Sequence, residues 1–197
     1  MALWVDKYRP AQLNDLSYHS DLTDRFREIV STDDFPHLLV YGPNGAGKST
    51  RVRCILKELY GAGAGRLRLE TRGFTTASGK KLEIQTISSN YHIELTPGDV
   101  GVHDRIIVQE VIKQMAQTHQ LNEKAQKGFK VVVLREVDSL TRDAQHALRR
   151  TMEAYSGNCR LILVCESLSR VLDPLRSRCM MLRVPAPTDA EVFCDAR

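Results

Sequence analysis

The chain has 197 residues, of which 42% are hydrophobic, 26% charged and 6% aromatic, enough to bury one good core with at most a small appendage. A formal charge of +4 permits contact with nucleic acid without arguing for it. No apolar run approaches the ~20 residues of a membrane span, charge follows the N-terminus too soon for a secretory signal, the odd, unpaired set Cys54, Cys159, Cys165, Cys179 and Cys194 reads as reduced, mostly buried thiols, and the six histidines lack zinc-ligand spacing.

Leu3 to Leu16 is a proline-bearing arm without helical period. Ser20 is placed to cap a helix over Leu22, Phe26, Ile29 and Val30. An apolar strand over 37–41 leads into the glycine-rich run Gly42 to Thr50, and a helix follows from Lys48 to about Tyr60, stopped by Gly61-Ala62-Gly63-Ala64-Gly65. The alternation in 82–87 predicts a half-exposed strand, paired with 66–72 as a hairpin. His92-Ile93-Glu94-Leu95 is a further short strand, and Ile107, Val111 and Met115 mark a helix over about 104–119. Lys130 to Leu134 is nearly all apolar, as in a parallel sheet covered on both faces. Thr141 caps a helix carrying Ala144, Leu148 and Met152, with Leu140 as a staple; strands follow at 160–164 and 180–184. Strands alternate with helices, so the fold class is α/β with a mainly parallel central sheet flanked by helices.

Gly42-Pro43-Asn44-Gly45-Ala46-Gly47-Lys48-Ser49-Thr50 fits the phosphate-binding pattern of a glycine, four residues, then Gly-Lys-Ser/Thr. Small turn-forming residues let successive backbone N–H groups point at one anion. Lys48 brings a charge to the β- and γ-phosphates, the Ser49 hydroxyl is of the type that ligates Mg²⁺, and the helix mouth adds its partial positive charge. The competing reading is an ordinary glycine-rich strand-to-helix turn. The site expects an acidic pair at the end of a second buried strand, one residue for the metal and one to orient the attacking water. Strand 131–134 runs instead into Arg135-Glu136-Val137-Asp138: Glu136 stands in the water-polarising place, and Arg135 stands where a metal-binding Asp belongs. A guanidinium cannot ligate a cation, which weakens Mg²⁺ binding and leaves room for Arg135 to lie toward the phosphates in its stead. The alternative is a solvated strand end.

Beyond these residues, Trp4-Val5-Asp6-Lys7-Tyr8-Arg9-Pro10, Phe35-Pro36-His37-Leu38-Leu39, Asp143 to Glu153 and Ser177-Arg178-Cys179 resemble, in order and over nearly the whole chain, the small subunits of replication factor C, the eukaryotic sliding-clamp loader. The resemblance implies the P-loop nucleotide-binding module of an AAA+ ATPase over 1–184, with 185–197 as the start of a helical lid. It implies ATP or ADP as ligand, with Val5, Tyr8 and Arg9 near the adenine and Gly42 to Thr50 on the phosphates. It implies a nuclear protein in a hetero-pentamer with other subunits, acting on the sliding clamp (proliferating cell nuclear antigen) and primed DNA, with no membrane. Arg178 resembles the arginine finger such subunits push into a neighbour's site, although a helix-end arginine paired with an acid reads equally well from local sequence. Gln145, Arg149 and Arg150 are candidate DNA contacts; an ion-paired face with Glu153 is the alternative. The basic segment 66–81 reads as a hairpin with a solvated face. Three departures imply binding with little turnover: Arg135; Glu166, where the family usually has an Asn facing the γ-phosphate; and no residue for the arginine that the lid contributes.

Overall fold

The computed structural model describes residues 3–32, 34–75, 81–117, 128–189 and 191, and for Val5, Asp6, Thr75 and Lys81 the backbone alone. Seven strands form one sheet in the order β2-β3-β4-β5-β6-β1-β7, comprising β1 Leu38–Tyr41, β2 Arg68–Thr75, β3 Lys81–Ser88, β4 His92–Leu95, β5 Lys130–Leu134, β6 Cys159–Cys165 and β7 Met180–Arg183. From β4 to β7 across the sheet every pairing is parallel; β2 and β3 form the predicted hairpin, antiparallel to each other, and β3 joins β4 antiparallel. The helices are α1 Trp4–Lys7, α2 Ser20–Ser31, α3 Lys48–Tyr60, α4 Asp104–Gln117, α5 Arg142–Ala154 and α6 Asp173–Arg176.

The central strands are mostly apolar because successive side chains face opposite layers and both layers are covered. Leu38 and Val40, Val131 and Val133, Ile162 and Val164 pack on one side with Phe26 and Val30 of α2 and Val52, Ile55, Leu56 and Leu59 of α3. Leu39, Val132, Leu134, Leu161 and Leu163 pack on the other with Ile107, Val111 and Met115 of α4 and Ala144, Leu148 and Met152 of α5. Every strand of the parallel core thus ends at the same edge, where β1, β5 and β6 release their loops toward one cleft.

Thr141 caps α5 as expected, its Oγ1 accepting from the Ala144 amide at 3.2 Å. It is itself gripped by the buried Asp104, whose Oδ2 accepts from the Thr141 amide at 2.7 Å and Oδ1 from its hydroxyl at 2.9 Å. Ser20 differs from expectation: α2 starts at Ser20, and His19, in a left-handed conformation (φ 59°), takes the capping position without a side-chain cap bond. The arm holds the short helix α1 and a 3-10 turn over Leu13–Asp15. Cys54, Cys159, Cys165 and Cys179 are buried free thiols, Cys54 pushed up to about 11 and the others to about 12, chiefly by burial. The predicted residues 118–119 of α4, Lys80, Cys194 and most of 185–197 lie outside the described residues. Among the described residues no helix is long and apolar enough to cross a membrane.

Candidate nucleotide-binding site

The turn from β1 into α3 has little freedom. At Gly42 (φ 152°) a Cβ would stand 2.0 Å from the carbonyl oxygen of Val184, whose own amide donates to Tyr41 O at 2.8 Å. The loop is pressed against the end of β7, and only hydrogen fits between. Gly47, just before α3, has φ 81°, where a side chain is strained, and a Cβ there would meet the Tyr18 hydroxyl at 2.6 Å. That hydroxyl also reaches Ala46 O at 3.5 Å. Beneath it the fully buried Arg51 donates to Tyr18 O at 2.7 Å and to Thr23 Oγ1 at 3.2 Å, its guanidinium 5.0 Å from the Tyr18 ring centroid. The loop therefore rests on a packed support from α2 and α3.

Lys48 curls back over this loop, Nζ donating to Gly42 O at 2.6 Å and Pro43 O at 2.8 Å. A cleft of about 670 Å³ opens in front, within the usual range of ligand sites, lined by Asn44 to Thr50, by Arg135, Glu136, Asp138 and Ser139 after β5, by Val164, Cys165 and Glu166 at the end of β6, and by Arg9 and Arg170. Gly42 and Pro43 serve it through the carbonyls that hold Lys48. A positive loop and helix mouth thus face a wall bearing three carboxylates, Glu136, Asp138 and Glu166.

Those carboxylates differ in what they already hold. Asp138 Oδ2 accepts from the amides of Glu166 (3.2 Å) and Ser167 (3.3 Å), tying the β5 and β6 loops together. Glu166 Oε2 accepts from Asn44 Nδ2 at 3.1 Å, a bond across the cleft from the wall to the loop tip. Glu136 has a left-handed backbone (φ 52°), a conformation costly for a residue with a Cβ and concentrated at functional sites; its carbonyl accepts from the Ser139 amide and hydroxyl at 2.9 and 2.7 Å. Cys165 is a thiol here, pushed up to about 12 by burial and then by the Asp138 charge.

Arg135 borders the cleft, but its guanidinium does not reach for phosphate as its position suggested. Nη2 donates to Oε2 of the buried Glu94 at 2.6 Å, because the parallel register of β4 and β5 sets Glu94 beside the end of β5. The residues fit a polyphosphate: a glycine-rich turn with positive φ at Gly45 and Gly47, a lysine, and a helix mouth. For a metal, Ser49 lies in the cleft, while among the described residues no group of three or more His, Cys, Asp or Glu side chains has the geometry to hold an ion.

The other expected positions divide. Arg9 Nη1 donates to Thr50 Oγ1 at 3.3 Å and lines the cleft. Tyr8 is 68% exposed and stands edge-on to Trp4 instead of over the cleft, and the Val5 side chain lies outside the described positions. Gln145 is a correction. It is buried, its Nε2 donating to Leu140 O (3.2 Å) and Arg170 O (3.0 Å) and its Oε1 accepting from the Leu172 amide (2.9 Å), so it ties the β5–α5 loop to the β6–α6 loop and has nothing to offer DNA. Arg149 is half-buried with Nε 3.5 Å from Glu153 Oε1, and Arg150 is exposed. Arg178 lies away from this cleft; Nε donates to Glu153 Oε1 at 2.6 Å and Nη1 to Pro174 O at 2.8 Å, which is the ion-paired alternative of the sequence reading. The Arg178 bond, foremost, holds the Glu153 carboxyl below its usual range. Sequence reasoning missed Arg170 and Glu94. The signal for Glu94 was available: a carboxylate between Ile93 and Leu95 in a strand read as part of a covered sheet requires a cation partner.

Residues 18–188 match a family model described as "DNA polymerase III, delta subunit". The chain is 58% identical over 192 residues to replication factor C subunit 3 of Bos taurus, covering 98% of this chain and 54% of that protein, and 55% identical over 191 residues to replication factor C subunit 5 of Schizosaccharomyces pombe, covering 97% and 53%. It spans about half the length of these relatives. Its fold matches that of the Thermotoga maritima RuvB P216G mutant with a TM-score of 0.59 over 91% of this chain and 49% of that one, at 15% identity.

Proposed function

Because the chain belongs to the AAA+ clamp-loader family of the DNA polymerase III delta-subunit model and the replication factor C small subunits, we propose that it binds ADP or ATP in the cleft at Lys48, turns ATP over poorly, and lends Arg178 to the nucleotide site of a neighbouring subunit. The setting is a nuclear, hetero-pentameric loader that places a sliding clamp on primed DNA. The observation that carries this reading is the curled Lys48 over a loop that tolerates no Cβ at Gly42. When a phosphate arrives, Nζ exchanges two carbonyl partners for charged oxygens, and the loop amides and helix mouth meet the same anion.

Poor turnover follows from what the wall residues are occupied with. Mg²⁺, when held, neutralises phosphate charge and aligns the leaving group. Ser49 would supply one oxygen ligand for it, but Arg135 is committed to Glu94, and Asp138 Oδ2 already accepts from two backbone amides. Glu166 puts a carboxylate on the cleft wall, where transferring phosphate needs donors. Arg178 is held by Glu153 and Pro174 O with its guanidinium oriented and donors to spare, as a residue positioned for a neighbour requires. DNA contact falls to Arg149 and Arg150 on α5, as contacts that position without reading sequence.

An independent ATPase is the second reading, favoured by the left-handed backbone at Glu136 in the cleft. Single-turnover hydrolysis by the chain alone separates the two. We expect a rate barely above background and unchanged by Glu136→Gln; a fast rate that Glu136→Gln abolishes establishes the second reading.

A further inference from the structure

A second cavity of about 260 Å³ lies against α3 and shares one lining residue, Arg9, with the nucleotide cleft. Pro10, Leu56, Ala64 and Leu67 give it an apolar surface, and besides Arg9, which donates to Thr50 Oγ1, Arg53 and Lys57 bring two further cations to it. Those two are four residues apart on α3 and so share a helix face. Both are half-buried, and neither has a hydrogen-bond or ion-pair partner among the described residues; the Arg53 Nε is wholly shielded from solvent. A cation drawn partly out of water without a partner is costly unless an anion completes it. The carboxylate lining the cavity, Glu94, is 2% exposed; its Oε2 is engaged by Arg135 at 2.6 Å, and its buried Oε1 makes no hydrogen bond and lies 3.8 Å from His92 Nε2, so it bonds to neither cation. His92, also on the wall, has its pKa lowered by burial first, against the opposing charge of Glu94 and with a smaller contribution from Arg53. The surroundings repeat the combination: Leu67, just before β2, and Leu69, within it, are 42% and 72% exposed, flanked by exposed Arg66 and Arg68.

We propose that this cavity docks an acidic, hydrophobic segment of a partner polypeptide. One aliphatic side chain enters over Leu56, Ala64 and Leu67, and flanking carboxylates pair with Arg53 and Lys57. Charge complementarity selects the acidic flanks, and the apolar floor selects polypeptide over nucleic acid, since phosphate contact makes no use of such a floor. Desolvating the two cations on binding strengthens each pair beyond a surface ion pair. The site does not depend on the nucleotide reading, and nucleotide binding serves as its control.

The test is a titration of the isotope-labelled chain, followed by amide chemical shifts, with the blocked tripeptide Asp-Leu-Glu and its neutral counterpart Asn-Leu-Gln. We expect shifts centred on Arg53, Lys57 and Leu67, with the neutral peptide about tenfold weaker or more. The Arg53→Glu/Lys57→Glu chain loses the acidic peptide by at least that factor while its ADP titration is unchanged. Should that double variant unfold, Leu67→Asp replaces it, with the same loss expected. Absence of shifts at millimolar acidic peptide, equal binding of the neutral peptide, or preferential binding of a short oligothymidylate at these residues each overturns the proposal.

Discussion

A methyl group at position 42 would collide with the backbone oxygen of Val184, whereas one at position 47 would meet the movable end of Tyr18. The two glycines of the loop therefore differ in what replacing them costs. Gly47→Ala costs about 1–2 kcal/mol, mostly through its positive φ, and the loop survives. Gly42→Ala must push β7 away from β1 or unwind the turn, so we expect a larger loss in urea denaturation and loss of nucleotide binding. A second prediction concerns His37, whose Nδ1 accepts from the Leu161 amide at 3.0 Å. Burial first, then the charge of Arg160, lowers its pKa from 6.5 to about 4. The fold thus holds the neutral form, while the unfolded chain takes up a proton as pH drops below 6.5. Stability is whole above that pH and declines between 6.5 and about 4, by no more than about 1.4 kcal/mol per pH unit from this group. Urea unfolding at pH 7 and pH 5 checks it: the decline should be shallower in His37→Gln, and an unchanged decline contradicts the assignment.

Among the elements, the parallel strands were legible because their apolar runs state that both faces are covered, and Thr141 because a cap is a local event. Gln145 was not. Its three partners, Leu140 O, Arg170 O and the Leu172 amide, belong to loops up to 27 residues away in sequence, and helical spacing alone says which face it shares and nothing of what covers that face. Arg135 was misplaced for the same reason: its partner Glu94 is set by strand register, at a separation of 41 residues. The glycine-rich turn between β1 and α3 was legible since such a loop requires residue types in sequence, but Tyr8 and Gln145 were assigned from resemblance, and side-chain packing decides such positions. Gln145→Leu should leave three buried backbone groups without partners, at about 1–3 kcal/mol each where water cannot reach. We expect destabilisation of about 3 kcal/mol or more and faster hydrogen exchange at Leu172; a change below 1 kcal/mol means the loops re-pair among themselves.

For the molecule as a whole, the same sheet edge that gathers the nucleotide cleft leaves Arg178 outside it, on a different surface and paired with Glu153. A chain built to use its own arginine would bring it to its own phosphates. In an assembly reconstituted with the other subunits, Arg178→Ala should therefore leave nucleotide binding by this chain intact while slowing hydrolysis at the neighbouring site by about 10³–10⁵-fold. Equal hydrolysis with and without the change removes the role.

Calorimetric titration of the chain with ADP and with ATP, in parallel with Lys48→Ala, bears most directly on whether the Gly42–Thr50 loop grips a polyphosphate. We predict saturable binding of one nucleotide per chain that Lys48→Ala weakens by at least about tenfold, corresponding to about 1.4 kcal/mol. No heat of association with either nucleotide, or binding that Lys48→Ala leaves unchanged, would contradict it.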